Sequence, residues 1–167
     1  MHASRKGEQN HVRKKTSTGP RSEIPKIDLN QWLSQLIDHF MWTWNHRLEQ
    51  QLAPIRLTFP QWRVLFLSSQ MGPMTIQQLS DATLVPHSTL ARWVRHMEKA
   101  GLVESQPHAE DGRAVQIVIT SQGRRLFGKA FPIAQRVYED ALAGFSSDDR
   151  KRLFDFVHRM RRNIGME

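Results

Sequence analysis

The chain has no cysteine. That absence removes disulfides, thiol nucleophiles and thiolate metal sites together. Long apolar runs are missing as well. Nowhere do the roughly 20 consecutive apolar residues of a membrane span occur, and no signal-peptide pattern opens the sequence, so a soluble cytoplasmic protein without membrane contact is expected. Eight histidines are present without H-E-x-x-H spacing, and neither a G-x-S-x-G elbow nor a phosphate-binding glycine loop occurs. Catalysis needs a nucleophile, a base and an orienting group brought together. No such constellation is legible, so no enzyme, no cofactor and no bound metal is expected. Acidic residues are the minority, 16 against 24 Lys and Arg, which leaves a net charge of +8. Such a balance favours a polyanionic partner without separating DNA, RNA or an acidic membrane. A chain of 167 residues suits one domain.

What is present is concentrated between residues 75 and 123. Thr75 with Gln78 forms a capping-box pattern, and Ile76, Leu79 and Ala82 follow at helical spacing. Pro86 ends that helix and suits the first turn of the next, which is expected from about Pro86 to Ala100, with Gly101 as its stop. At 100° per residue, Leu90, Trp93, Val94 and Met97 form one stripe, while Ser88, Arg92, Arg95, His96 and Lys99 form the opposite one. The first stripe packs inward and the second is a basic surface. Leu102 to Gln106 then reads as a short strand, and Val115, Ile117 and Ile119 alternate as the apolar side of a half-buried one. Between them, PHAEDGR carries the bend-forming Asp111-Gly112 pair.

Two helices, a hairpin and a further helix start make a winged helix-turn-helix, whose second helix sends its N-terminal residues into the major groove. His87, Ser88, Thr89, Arg92 and Arg95 are therefore the candidate DNA contacts of that helix; the hydroxyl side chains leave room for close approach, and Arg92 can donate two hydrogen bonds to a guanine edge. Arg113 at the hairpin tip suits a minor groove, with Asp111 holding its guanidinium by a bidentate pair. Lys99, at the far end, suits a phosphate or solvent. The fold class expected is mainly α with a small β-hairpin wing, a DNA-binding lobe joined to a helical dimerisation module.

LTFPQWRVL at 57–65, the helix pair at 75–100, GLVE at 101–104, and the D-x-R and I-T-x-x-G elements at 111–123 together resemble the MarR family of regulators. The resemblance implies a bacterial, homodimeric repressor or activator, repression being the simpler expectation. It also implies a pseudo-palindromic operator and release by a small aromatic acid or phenolic effector. By position it assigns Ser88, Thr89 and Arg92 to the recognition helix, and Asp111 and Arg113 to the wing. Gly112 and Ala114 stand where more charge is common in the family, which implies a weaker grip on phosphates. The peroxide-sensing branch of the family needs a cysteine this chain lacks.

The flanks divide accordingly. Residues 1–25 hold six Lys or Arg and almost no large aliphatic residue, so a disordered basic arm is expected there. Residues 26–56 are expected to form an N-terminal dimerisation helix capped near Asp28, with Leu29, Trp32, Leu33, Leu36, Ile37, Phe40, Trp44 and Leu48 on its apolar face. Residues 57–123 form the DNA-binding region, opening with a helix from Thr58 to about Gln70. Residues 124–167 supply the C-terminal dimerisation helices. In the first of these, Thr120 caps and Pro132 should kink the axis; in the second, Ser146 and Asp149 cap a stripe of Leu153, Phe156, Val157, Met160 and Ile164. Where dimerisation helices meet the reading lobe, His39, Trp42, Trp62 and Arg63 are the candidate effector contacts, the cations pairing an acid and the indoles covering its ring. The competing readings are a constitutive or architectural DNA-binding protein without effector, and a metal-responsive regulator.

Overall fold

The structure, a computed structural model, describes Asp28, residues 32–107 and residues 114–166. It is mostly helical with one small sheet: α1 (Leu33–Leu52), a 3-10 turn (Ala53–Ile55), α2 (Phe59–Met71), β1 (Met74–Thr75), α3 (Ile76–Thr83), α4 (His87–Lys99), β2 (Val103–Pro107), β3 (Val115–Ile119), α5 (Ser121–Ala141) and α6 (Ser147–Asn163). Contacts separate residues 1–36 from residues 37–167. Of the first unit, Asp28 and residues 32–36 are described, with the Leu36 amide donating to the Trp32 carbonyl at 3.2 Å. The helix therefore starts at Leu33 and not near Asp28, and Leu29 lies outside the described residues. No acidic residue stands in its first turn and its first buried residue is Leu48, so neither charge nor packing fixes an earlier start.

In the second unit, Leu48, Leu52, Leu57, Val64, Leu65, Leu79, Leu90, Val94, Met97, Ile117, Ile119, Ala130 and Val137 close one core. The inward stripe expected for α4 holds, with Leu90, Val94 and Met97 buried and Trp93 half-buried. Caps explain the helix starts. Thr58 with Gln61, Thr75 with Gln78 and Ser146 with Asp149 each form a reciprocal capping box, and the Thr120 hydroxyl accepts from the Gly123 amide at 3.0 Å. The α3–α4 break is made earlier than Pro86. Leu84 takes a left-handed conformation at φ 56°, a costly position for a branched side chain that here leaves it 77% exposed. Pro86 is the N-cap of α4 rather than its first residue.

The sheet is antiparallel in the order β1-β3-β2, with Val103 opposite Ile119 and Pro107 opposite Val115. β1, two residues long, pairs Met74 with Ile117 and Thr75 with Gln116; it is too short to leave a periodic signal in sequence. Val115 is 52% exposed instead of half-buried, because it lies at the far end of β3, past the two residues that β1 covers. α5 is one continuous helix through Pro132, whose ring removes a single hydrogen bond from 21 residues anchored by Ala130 and Val137.

Candidate nucleic-acid interface and cavity

The N-terminus of α4 is built by its neighbours. Its first hydrogen bonds run from the Thr89 and Leu90 amides to the Pro86 carbonyl, at 2.9 and 3.1 Å. The turn before it is tied down three times: the Ser80 hydroxyl donates to the Val85 carbonyl at 2.7 Å, the Thr83 hydroxyl to the Leu79 carbonyl at 2.6 Å, and Arg63 Nη2 to the Thr83 carbonyl at 2.7 Å. Such anchoring fixes the angle at which α4 projects. His87, Ser88, Arg92, Arg95, His96 and Lys99 are exposed along one side, and Thr89 is half-buried. No acidic residue stands in the first turn, and Arg92, Arg95 and Lys99 make no salt bridge to another described residue. Three uncommitted cations on a rigid helix form a surface suited to phosphates and guanine edges. Asp111 and Arg113 lie outside the described residues, in the segment that joins β2 to β3.

The far end of α4 is locked to α5. Gly101, at φ 67°, lets the chain turn so that the Leu102 amide returns to the Met97 carbonyl at 2.9 Å. The Thr120 hydroxyl then donates to the Gly101 carbonyl at 2.7 Å, and Gln122 Nε2 to the Ala100 carbonyl at 3.1 Å. Gly123 is needed for this approach, since a Cβ there would collide with the Leu102 carbonyl oxygen.

Between α1, α2 and α5 lies an apolar cavity of about 390 Å³. Five rings line it, those of Trp44, Trp62, Phe66, Phe131 and Tyr138, together with Leu48, Ala134, Gln135 and Glu139. Of the four effector candidates read from sequence, this cavity contains Trp62 alone. Arg63 is turned to the Thr83 carbonyl and over the Phe59 ring, where partial burial lowers its pKa from the ordinary value. Trp42 is 65% exposed and stacked on His46, and His39 is exposed on α1. Helical phase explains the difference: Trp44 and Leu48 share one side of α1, and Trp42 and His46 share another.

Residues 57–115 match the model of the MarR family. Over 122 residues the chain is 30% identical to the HTH-type transcriptional repressor IacR of Pseudomonas putida, spanning 73% of this chain and 71% of that protein. The chain belongs to the MarR family. Its fold is that of solved MarR-type structures, among them a mutant E. coli MarR complexed with operator DNA (TM-score 0.70, 20% identity, 78% of this chain and 94% of that one). A second is Bordetella bronchiseptica BpsR, described for regulation of its DNA binding by 6-hydroxynicotinic acid (TM-score 0.71, 18% identity, 81% and 97%). The protein is thus a repressor-like transcriptional regulator of a family whose members bind DNA and are not enzymes. Among the described residues, no helix is long and apolar enough to cross a membrane. Two features escape sequence reading: the Arg63 bond to the Thr83 carbonyl, a partner that no local pattern names, and the cavity wall on α5, where Phe131, Gln135 and Tyr138 carry no motif.

Proposed function

We propose that this chain is a homodimeric repressor that reads a pseudo-palindromic operator and releases it when a small aromatic or phenolic molecule fills the cavity between α1, α2 and α5. The observation that carries the reading is the face of α4, where Arg92, Arg95 and Lys99 stand exposed and unpaired on a helix whose C-terminal end is hydrogen-bonded to α5 and whose preceding turn is tied to α2 at Thr83. His87, Ser88, Thr89 and Arg92 are assigned to base edges, Arg95 to the flanking backbone, and Asp111 with Arg113 to a minor groove. Residues 57–123 are the reading lobe and residues 1–25 a basic arm in this assignment.

Residues 26–56 and 124–167 are assigned to dimerisation. Ile37, Phe40 and Met41 on α1 and Leu153, Phe156, Val157 and Met160 on α6 are all exposed, and α6 buries no residue at all. An isolated helix of that length is marginal in water, so a second copy covering these faces is the economical partner. Two-fold pairing would set two reading helices about one turn of duplex apart. Release is supported by the position of the cavity on α5, the helix whose first turn holds the end of α4. An effector acts only by its differential affinity for the two arrangements.

Selection from random duplexes tests this reading. The full chain is expected to enrich a two-fold motif, and the chain ended after Gly144 a single half-site with weaker retention. Recovery of no motif by the full chain, or of the same two-fold motif by a fully dimeric truncated chain, overturns the respective parts.

A further inference from the structure

We propose that the cavity between α1, α2 and α5 selects a flat aromatic amine in its protonated form and rejects aromatic carboxylates, an inference that rests on the effector reading above. Among the described residues, no Lys, Arg or His lines the cavity. A carboxylate entering it would leave water without gaining a cationic partner, and desolvated anions are costly when unpaired. The one charged group in the wall is the Glu139 carboxylate, whose repulsion of an anion is reduced, not removed, by its pairing with Arg150. The rings add to this discrimination. Aromatic faces carry the negative end of the ring quadrupole, so a cation gains wherever a lining ring presents its face, as an anion does not. Trp44 and Tyr138, both in the wall, meet edge to face with centroids 5.9 Å apart and planes at 70°.

Glu139 supplies the matching charge. Its Oε2 accepts from Arg150 Nη1 at 2.8 Å, which holds the carboxylate in place and leaves Oε1 for a second donor. Gln135, one helical turn before Glu139 on α5, offers a neutral amide to a polar substituent. The overall charge of +8 draws anions toward the molecule, but that field is screened within about 8–10 Å at ordinary salt, and the lining decides what stays.

Three probes of similar size separate the charge classes: naphthylmethylamine, naphthol and naphthoate, each titrated calorimetrically into the full chain near neutral pH, with operator release followed in parallel. The amine is expected to bind tightest and naphthoate weakest, the two differing by about tenfold or more. Glu139→Gln should erase most of the lead of the amine over naphthol, whereas Arg150→Gln, which frees the carboxylate, should keep or enlarge it. Tightest binding of naphthoate, or an amine lead that survives Glu139→Gln, overturns the charge selection and leaves an effector-responsive regulator standing. Binding of the amine without operator release supports the selection and overturns the effector reading instead. Absence of binding by all three probes overturns the cavity as a ligand site.

Discussion

Arg92 lies on the second turn of α4 with its guanidinium uncommitted, while Lys99 occupies the last turn of the same helix. In the proposed operator reading, position separates their roles. A guanidinium near the entering end donates to one base, whereas an ammonium at the far end meets the sugar-phosphate backbone. Arg92→Ala should cost about 1–3 kcal/mol of operator affinity and relax preference at one position; Lys99→Ala should weaken all sequences alike and reduce the salt slope by about one. Titrations of matched operators over a range of salt check both, and identical sequence profiles for Arg92→Ala and the parent would remove it from the reading head. Gly123 acts on stability rather than affinity. An added Cβ would meet the Leu102 carbonyl oxygen and stand 2.9 Å from Ile119 Cγ1, both inside the core, where neither neighbour can yield cheaply. Gly123→Ala is therefore expected to destabilise by about 1–3 kcal/mol, the usual range for overpacking, with the urea midpoint as the measure.

At the scale of elements, α6 shows how much a cap contributes when packing gives little. Asp149 has its pKa held below the ordinary carboxylate value by the Ser146 side-chain hydrogen bond first and the Ser146 amide second. A depressed folded value means that the stabilisation is present above the ordinary carboxylate range and lost as pH falls through the depressed value. Protection factors in α6, corrected for the intrinsic pH dependence of amide exchange, should accordingly fall on acidification through that range, and Asp149→Asn should flatten the response; pH-independent protection of α6 in the parent chain would contradict the capping account. The same helix marks what sequence conveys. Ser146, Thr75 and Thr120 announce their helices because capping is local chemistry, and Leu90, Val94 and Met97 announce the buried side of α4 because burial repeats with the helical period. The lining of a cavity obeys no such local rule. His39 and Trp42 are exposed on α1 and Arg63 bonds a carbonyl 20 residues away, so none of these three lines the cavity between α1, α2 and α5. The cavity wall on α5 is set by which face of a 21-residue helix meets α1 and α2, information that is tertiary from the outset.

For the whole molecule, charge and symmetry make separable contributions to binding. A net charge of +8 gives any duplex a sequence-independent attraction that falls with salt in proportion to the phosphates neutralised, with a slope of about −0.9 for each. Symmetry adds specificity only if both lobes engage at once. Two α4 helices related by a two-fold axis reach successive major grooves on one side of the duplex, about 10–10.5 base pairs apart. Inserting about half a turn between half-sites carries the second groove to the opposite side, where a lobe whose α3 end is tied to α2 through Arg63 and whose α4 end is tied to α5 through Gln122 cannot follow. Affinity for the inserted operator should therefore drop to that of an isolated half-site, and the salt slope should fall to about half, since one lobe's phosphate contacts are lost together with its base contacts. Unchanged affinity and slope on insertion would mean that each lobe binds independently, and the assignment of α1 and α6 to a rigid dimer would fail with it.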